Sequence, residues 1–195
     1  MAGENGRDPI NDFLGSAHIF SYAVGRVLEE KYWREASGES LSVSQLKLLK
    51  LVNLSGVHTI GDVASFLGIS NAAASKAVDK LARRMLIRRS EGEADRRAIN
   101  LTLTGAGRRL LEAYDSAARS KLTEIFAQVS SEELRQVANL LDRLSLSVIN
   151  HNAKSDEICV QCGIYFRDHC IFRQELGRRC LYLRQKTRSG QSSES

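Results

Sequence analysis

One stretch limits the architectures open to this chain more than any other: Thr59 to Thr104, TIGDVASFLGISNAAASKAVDKLARRMLIRRSEGEADRRAINLTLT. Thr59 suits the N-cap of a short helix that carries Ile60, Val63, Ala64 and Leu67 on one face. Gly68 stops that helix, as a residue tolerant of positive φ should. Ser70 then caps a second helix, in which Ala74, Ala77, Val78 and Leu81 recur at spacings of three and four. Two helices joined by a short Gly-containing turn form a helix-turn-helix, whose second helix enters the major groove of a duplex.

Beyond Leu86 the period becomes two. Ile99, Leu101 and Leu103 face one way and Asn100 and Thr102 the other, which predicts a half-buried strand. Leu86 to Arg89 is its expected partner, with Ser90 to Arg97 as the connecting loop. Arg96 and Arg97 at the tip of such a wing suit contact with a phosphate backbone or a minor groove.

The run from Ala64 to Gly107 resembles the winged-helix core of the MarR family of transcriptional regulators. Its most specific part is Asp95-Arg96-Arg97, followed by Leu103-Thr104 and Gly107, similar to the D-x-R…LT-x-x-G wing signature. The resemblance covers roughly Ile10 to Asn150. It implies that Asp95 steadies the wing and that Arg97 enters the minor groove. It also implies that the terminal helices of two subunits interlock. Two positions depart from the pattern. The second helix opens on Asn71-Ala72-Ala73-Ala74, where relatives commonly show more hydroxyls, and Met85 stands where a Gly is usual before the first wing strand.

Charge agrees with a nucleic-acid partner. The chain carries a formal net charge of +5. Between Thr59 and Arg109, ten Lys and Arg stand against five Asp and Glu, so this segment supplies that excess by itself. The expected major-groove element is Ser70 to Lys80, opened by Ser70, Asn71 and Ala72. Asn71 and Ser75 are the candidate base readers, and Lys76, Lys80 and Arg84 the candidate phosphate contacts.

The flanks are helical. Ile10, Phe13, Ala17, Phe20, Val24 and Val27 form an apolar stripe on a long helix running to about Arg34. Ser42 with Gln45 forms a capping box for a helix carrying Leu46, Leu49 and Val52. Thr104 caps a helix to about Gln128. Ser130 with Glu133 opens a last long helix with Leu134, Val137, Leu141, Leu144 and Val148 at seam spacing. A winged helix folds without the first and last helices, so their stripes call for a partner. The expectation is a symmetric homodimer on a pseudo-palindromic operator.

All four cysteines lie near the C-terminal end: Cys159, Cys162, Cys170 and Cys180, spaced C-x2-C-x7-C-x9-C. In a chain with no secretory signal or apolar span, hence expected to be cytoplasmic and to have no membrane partner, such a cluster points to a metal site rather than to disulfides. Structural zinc usually shows two close pairs, and only Cys159 and Cys162 form one here. Iron–sulfur clusters accept the irregular spacing, so a 4Fe-4S cluster is expected, with zinc and then thiol/disulfide switching as alternatives. Arg167, Arg173, Arg178 and Arg179 offset the charge of four thiolates. His169 is a redundant ligand beside them, and His18 and His58 have no spaced partner.

The expected fold class is thus mainly α with a small β-wing. Residues 1–40 form an N-terminal dimerisation helix, 41–104 the winged helix-turn-helix and 105–151 the C-terminal dimerisation helices. Residues 152–186 form the cysteine module and 187–195 a polar, disordered tail. No nucleophile–base pair, paired carboxylates or phosphate-cradling glycine loop appears, so no catalytic residue is assigned and an enzyme is not expected. A small aromatic effector bound between the DNA-binding and dimer regions is what the resemblance adds as a further partner.

Overall fold

A computed structural model describes residues 8–38, 41–54, 57–91, 99–152, 164–167 and 169–176. Helix α1 (Pro9–Ala23) starts with proline at its first position and with Asp8 as N-cap, whose carboxylate accepts from Ile10 N at 3.0 Å. It continues through a π-helical stretch, Val24–Lys31, into α2 (Tyr32–Ser37). The helix ends at Ser37, three residues beyond the expected Arg34 boundary, with Gly38 as a left-handed C-cap at φ 65°. The π stretch turns the helix face. Val27, the last residue of the expected stripe, stays 39% exposed, while Leu28 and the fully buried Trp33 point into the core.

Helix α3 (Val43–Leu54) is the central core element, with Gln45, Leu46, Leu48, Leu49, Leu51 and Val52 all buried. Its N-terminus carries the expected box: Ser42 N donates to Gln45 Oε1 at 2.9 Å. Then follow β1 (Val57–His58), α4 (Ile60–Leu67), α5 (Asn71–Arg83), β2 (Ile87–Glu91), β3 (Ile99–Leu103), α6 (Gly105–Ile125), α7 (Ser131–Asn152) and the short α8 (Ile171–Leu176). The sheet is antiparallel with order β1-β3-β2; Ile87 pairs with Leu103 and Val57 with Asn100. No strand was expected at Val57–His58. Two residues carry no period, and their pairing partner lies far along the chain.

Trp33, Leu46, Leu49, Val63, Val78, Leu81, Leu101, Leu111 and Tyr114 belong to one core beneath the winged helix. Phe66 joins it from α4, beyond the expected face of Ile60, Val63, Ala64 and Leu67. Helix α6 contributes Leu111, Tyr114 and Ala118, while α7 has no buried residue among those described. Leu134, Val137, Leu144 and Val148 on α7, and Ile10, Leu14, Ile19 and Phe20 on α1, are exposed. No described helix is long and apolar enough to cross a membrane.

Candidate nucleic-acid interface

The two helices of the motif are set by caps at both ends. Thr59 N donates to Asp62 Oδ2 at 2.9 Å, and Asp62 N donates to Thr59 Oγ1 at 3.0 Å, a reciprocal capping box. Gly68 ends α4 in the left-handed region (φ 65°), and Ile69 N returns to Ala64 O at 3.0 Å. Ser70 Oγ then accepts from Ala73 N at 3.2 Å, which starts α5 in a new direction. One lone pair of the Ser70 oxygen is therefore engaged in the cap, which leaves its hydroxyl hydrogen and a second lone pair for a base or phosphate.

Helix α5 buries Ala74, Val78 and Leu81 against the core and turns Asn71, Ala72, Lys76, Lys80 and Arg83 to solvent, with Ser75 half-buried. Asn71, Lys76 and Lys80 thus lie on the solvent side of one helix with Ser75 at its edge; Arg84, at its C-cap, is exposed. An ion pair missed from sequence fixes the wing to this helix: Arg89 on β2 bonds Asp79 on α5. Both partners are partly exposed, so the pair contributes only about 0–1 kcal/mol, and its main effect is angular. Among the basic residues of the wing strands, Arg88 remains exposed. Asp95, Arg96 and Arg97 lie outside the described residues.

The base of the wing is pinned by Thr104. Its backbone N–H donates to Leu86 O at 3.1 Å, its hydroxyl donates to Met85 O at 2.5 Å with Leu86 O farther off at 3.2 Å, and its Oγ1 accepts from Gly107 N at 3.1 Å. Gly107 lies so close that a Cβ there would stand 2.1 Å from Leu86 O. Met85 sits in the left-handed region at φ 57°, the one non-glycine among the described residues with positive φ. Both features give physical content to the wing signature: the glycine of LT-x-x-G permits the approach, and Met85 occupies a backbone conformation that a glycine holds without strain.

Beneath the motif, a cavity of about 340 Å³ is lined by Leu28, Lys50, Tyr114, Asp115, Ala118, Arg119, Leu122, Thr123, Ile164 and Tyr165. Lys50 pairs with Asp115 and lies 5.5 Å from the Tyr114 ring centre. Tyr114 stacks edge-on against Trp33 at 5.6 Å and donates its hydroxyl to Leu28 O at 3.1 Å, inside the π stretch. Burial raises the Tyr114 phenol well above its ordinary pKa and pushes that of Tyr165 up to about 12, with the Glu29 charge adding to both. Burial also raises Glu29, partly offset by Lys47.

Of the cysteines, Cys170 is described: half-buried and unpaired, its carbonyl accepting from Arg173 N and Gln174 N, both at 3.1 Å, at the start of α8. Cys159, Cys162 and Cys180 lie outside the described residues.

Residues 41–99 match the family model of the MarR family. This segment is similar to the winged helix of MarR-type transcriptional regulators. The chain is 28% identical over 116 residues to YfiV of Bacillus subtilis (strain 168), described as an uncharacterized HTH-type transcriptional regulator; the match covers 60% of this chain and 71% of that one. Among solved structures, FabT of Streptococcus pneumoniae in complex with DNA superposes with a TM-score of 0.60 at 23% identity, covering 74% of this chain and 98% of that one. RV1404 of Mycobacterium tuberculosis gives 0.57 at 22% identity, covering 74% and 96%. At these identities the structural likeness establishes the fold: mainly helical, with a small antiparallel wing.

Proposed function

We propose that this MarR-type regulator binds a pseudo-palindromic operator as a homodimer, and that Cys159, Cys162, Cys170 and Cys180 hold a 4Fe-4S cluster through which it senses redox state, oxygen or nitric oxide. The observation that carries the DNA-binding part is the solvent face of α5, with Asn71, Ser75, Lys76 and Lys80 on one capped helix braced to β2. Asn71 and Ser75 read base edges in the major groove, Lys76, Lys80 and Arg84 hold phosphates, and Arg97 reaches the minor groove. The exposed apolar faces of α1 and α7 support pairing of two subunits, which sets two recognition helices about 34–36 Å apart.

The cysteine cluster fits a soft, anionic metal centre. Cys170 is half-buried, and Arg173 stands three residues from it in sequence, while Arg167 is engaged by Asp142. When bound, an iron–sulfur cluster supplies a centre that gains or loses electrons and degrades on oxidation. A second reading is favoured by the cavity beside Tyr114: zinc staples the tail, and a small aromatic effector occupies that space.

Anaerobic purification, followed by an absorption spectrum and elemental analysis of one sample, tests the metal assignment. Iron with sulfide, bleaching in air, supports the sensor; one zinc per chain supports the second reading; a metal-free protein overturns both. For the DNA surface, Lys76→Ala with Lys80→Ala should weaken duplex binding and reduce its salt slope by about two. An unchanged slope removes α5 from the interface.

A further inference from the structure

Four consecutive residues between Cys162 and Cys170 join parts of the fold that the sequence keeps far apart. Ile164 is 8% exposed and belongs to the main core. Tyr165 forms one wall of the cavity over Tyr114. Phe166 stacks on Phe66 of α4, the first helix of the DNA-binding motif, with ring centres 6.2 Å apart and planes 26° from parallel. Arg167 makes two parallel hydrogen bonds to the Asp142 carboxylate on α7, both at 2.7 Å. An offset aromatic stack at one end and a bidentate ion pair at the other are both orientation-dependent contacts. Asp142 is 17% exposed and Arg167 46%, so the pair is partly screened by water and its bidentate geometry matters more than its energy.

We propose that Ile164–Arg167 is an internal strap that sets the placement of the DNA-binding helices relative to α7. Phe66 is fixed to α5 through the shared core, so Phe166 acts on the recognition helix through α4. Arg167 ties the same short segment to the helix whose apolar face is exposed for a partner. Release of either end leaves the winged helix free to rock against α7, and a duplex must then bear the entropy of fixing two recognition helices at half-site spacing. Control of the strap by the flanking Cys162 and Cys170 rests on the metal reading given above; the strap itself does not.

The test uses the full-length protein, purified anaerobically, and a duplex selected by the wild-type protein from a random-sequence pool. Phe166→Ala and Arg167→Gln should each weaken binding fivefold or more and accelerate amide exchange across Ile60–Leu67. The exchanged pair, Asp142→Arg with Arg167→Asp, should return affinity to within twofold of wild type, which a merely destabilising change would not allow. Binding within twofold of wild type and unchanged exchange in both single variants overturn the strap. Metal content of the same samples separates the two proposals. Metal-free protein with weakened strap variants keeps the strap and removes the metal reading. Metal-loaded variants that bind as wild type remove the strap and leave the metal reading standing.

Discussion

Gly107→Ala tests the geometry at the base of the wing, because two physical arguments give it opposite signs. Gly107 lies in the first turn of α6, where helix propensity alone favours alanine by up to about 1 kcal/mol. The structure opposes that. A Cβ would stand 2.1 Å from Leu86 O and 3.0 Å from Leu86 C, both backbone atoms that no rotamer change can move. Leu86 O is also the acceptor for Thr104 N, the Thr104 hydroxyl donates to the adjacent Met85 O, and Gly107 N donates to the Oγ1 of that hydroxyl. Shifting the carbonyl therefore disturbs the N-cap of α6 and the start of β2 together. Overpacking against backbone costs about 1–3 kcal/mol, and a weakened cap adds about 0.5–2 kcal/mol. After the propensity gain is subtracted, the net destabilisation is about 0.5–4 kcal/mol. Urea unfolding at matched protein concentration reads this as a fall in midpoint of about 0.3–2 M. A midpoint equal to or above that of wild type would refute the close approach, and with it the account of why the signature needs glycine here.

Met85→Gly should do the reverse. A left-handed non-glycine residue costs about 1–2 kcal/mol and glycine adds about 0.5–1 kcal/mol of unfolded-state entropy. Since the Met85 side chain is 70% exposed, little packing is lost and thermal unfolding should rise by about 2 °C; a fall would mean the side chain has a contact that outweighs the strain. Tyr114→Phe removes the donor to Leu28 O and should cost about 1–2 kcal/mol in denaturant unfolding. A loss below about 0.5 kcal/mol would show that water reaches that carbonyl instead. Glu29 has a folded pKa raised above its unfolded value by burial, so the folded state holds its proton more tightly. Its contribution to stability is full below the unfolded pKa and is lost as pH rises through the folded one. Glu29→Gln should accordingly flatten the decline of stability across that window. An unchanged pH profile would place the carboxylate in water.

What was legible in the sequence was local, and what was not is contacts between distant segments. Thr59, Ser70, Thr104, Ser42 with Gln45 and Ser130 with Glu133 are each satisfied within three residues, so a short window reveals them, and all appear as hydrogen bonds. The faces of α4 and α5 follow in the same way from spacing, apart from Phe66. The π stretch leaves no such trace. Its sequence, Val24–Lys31, reads as ordinary helix, and Tyr114, whose hydroxyl meets Leu28 O there, is 86 residues away. The same holds for Asp79 with Arg89, for Phe66 with Phe166 and for Asp142 with Arg167, each a pairing that no periodicity encodes. Cys170 stood out by type and spacing, yet its relation to the rest of the molecule comes from the residues before it, which pack on the motif and on α7. The DNA recognition proposed for this chain is thus written in motif and charge. The means of adjusting it lie in long-range contacts, and those also define which substitutions can separate binding from its control.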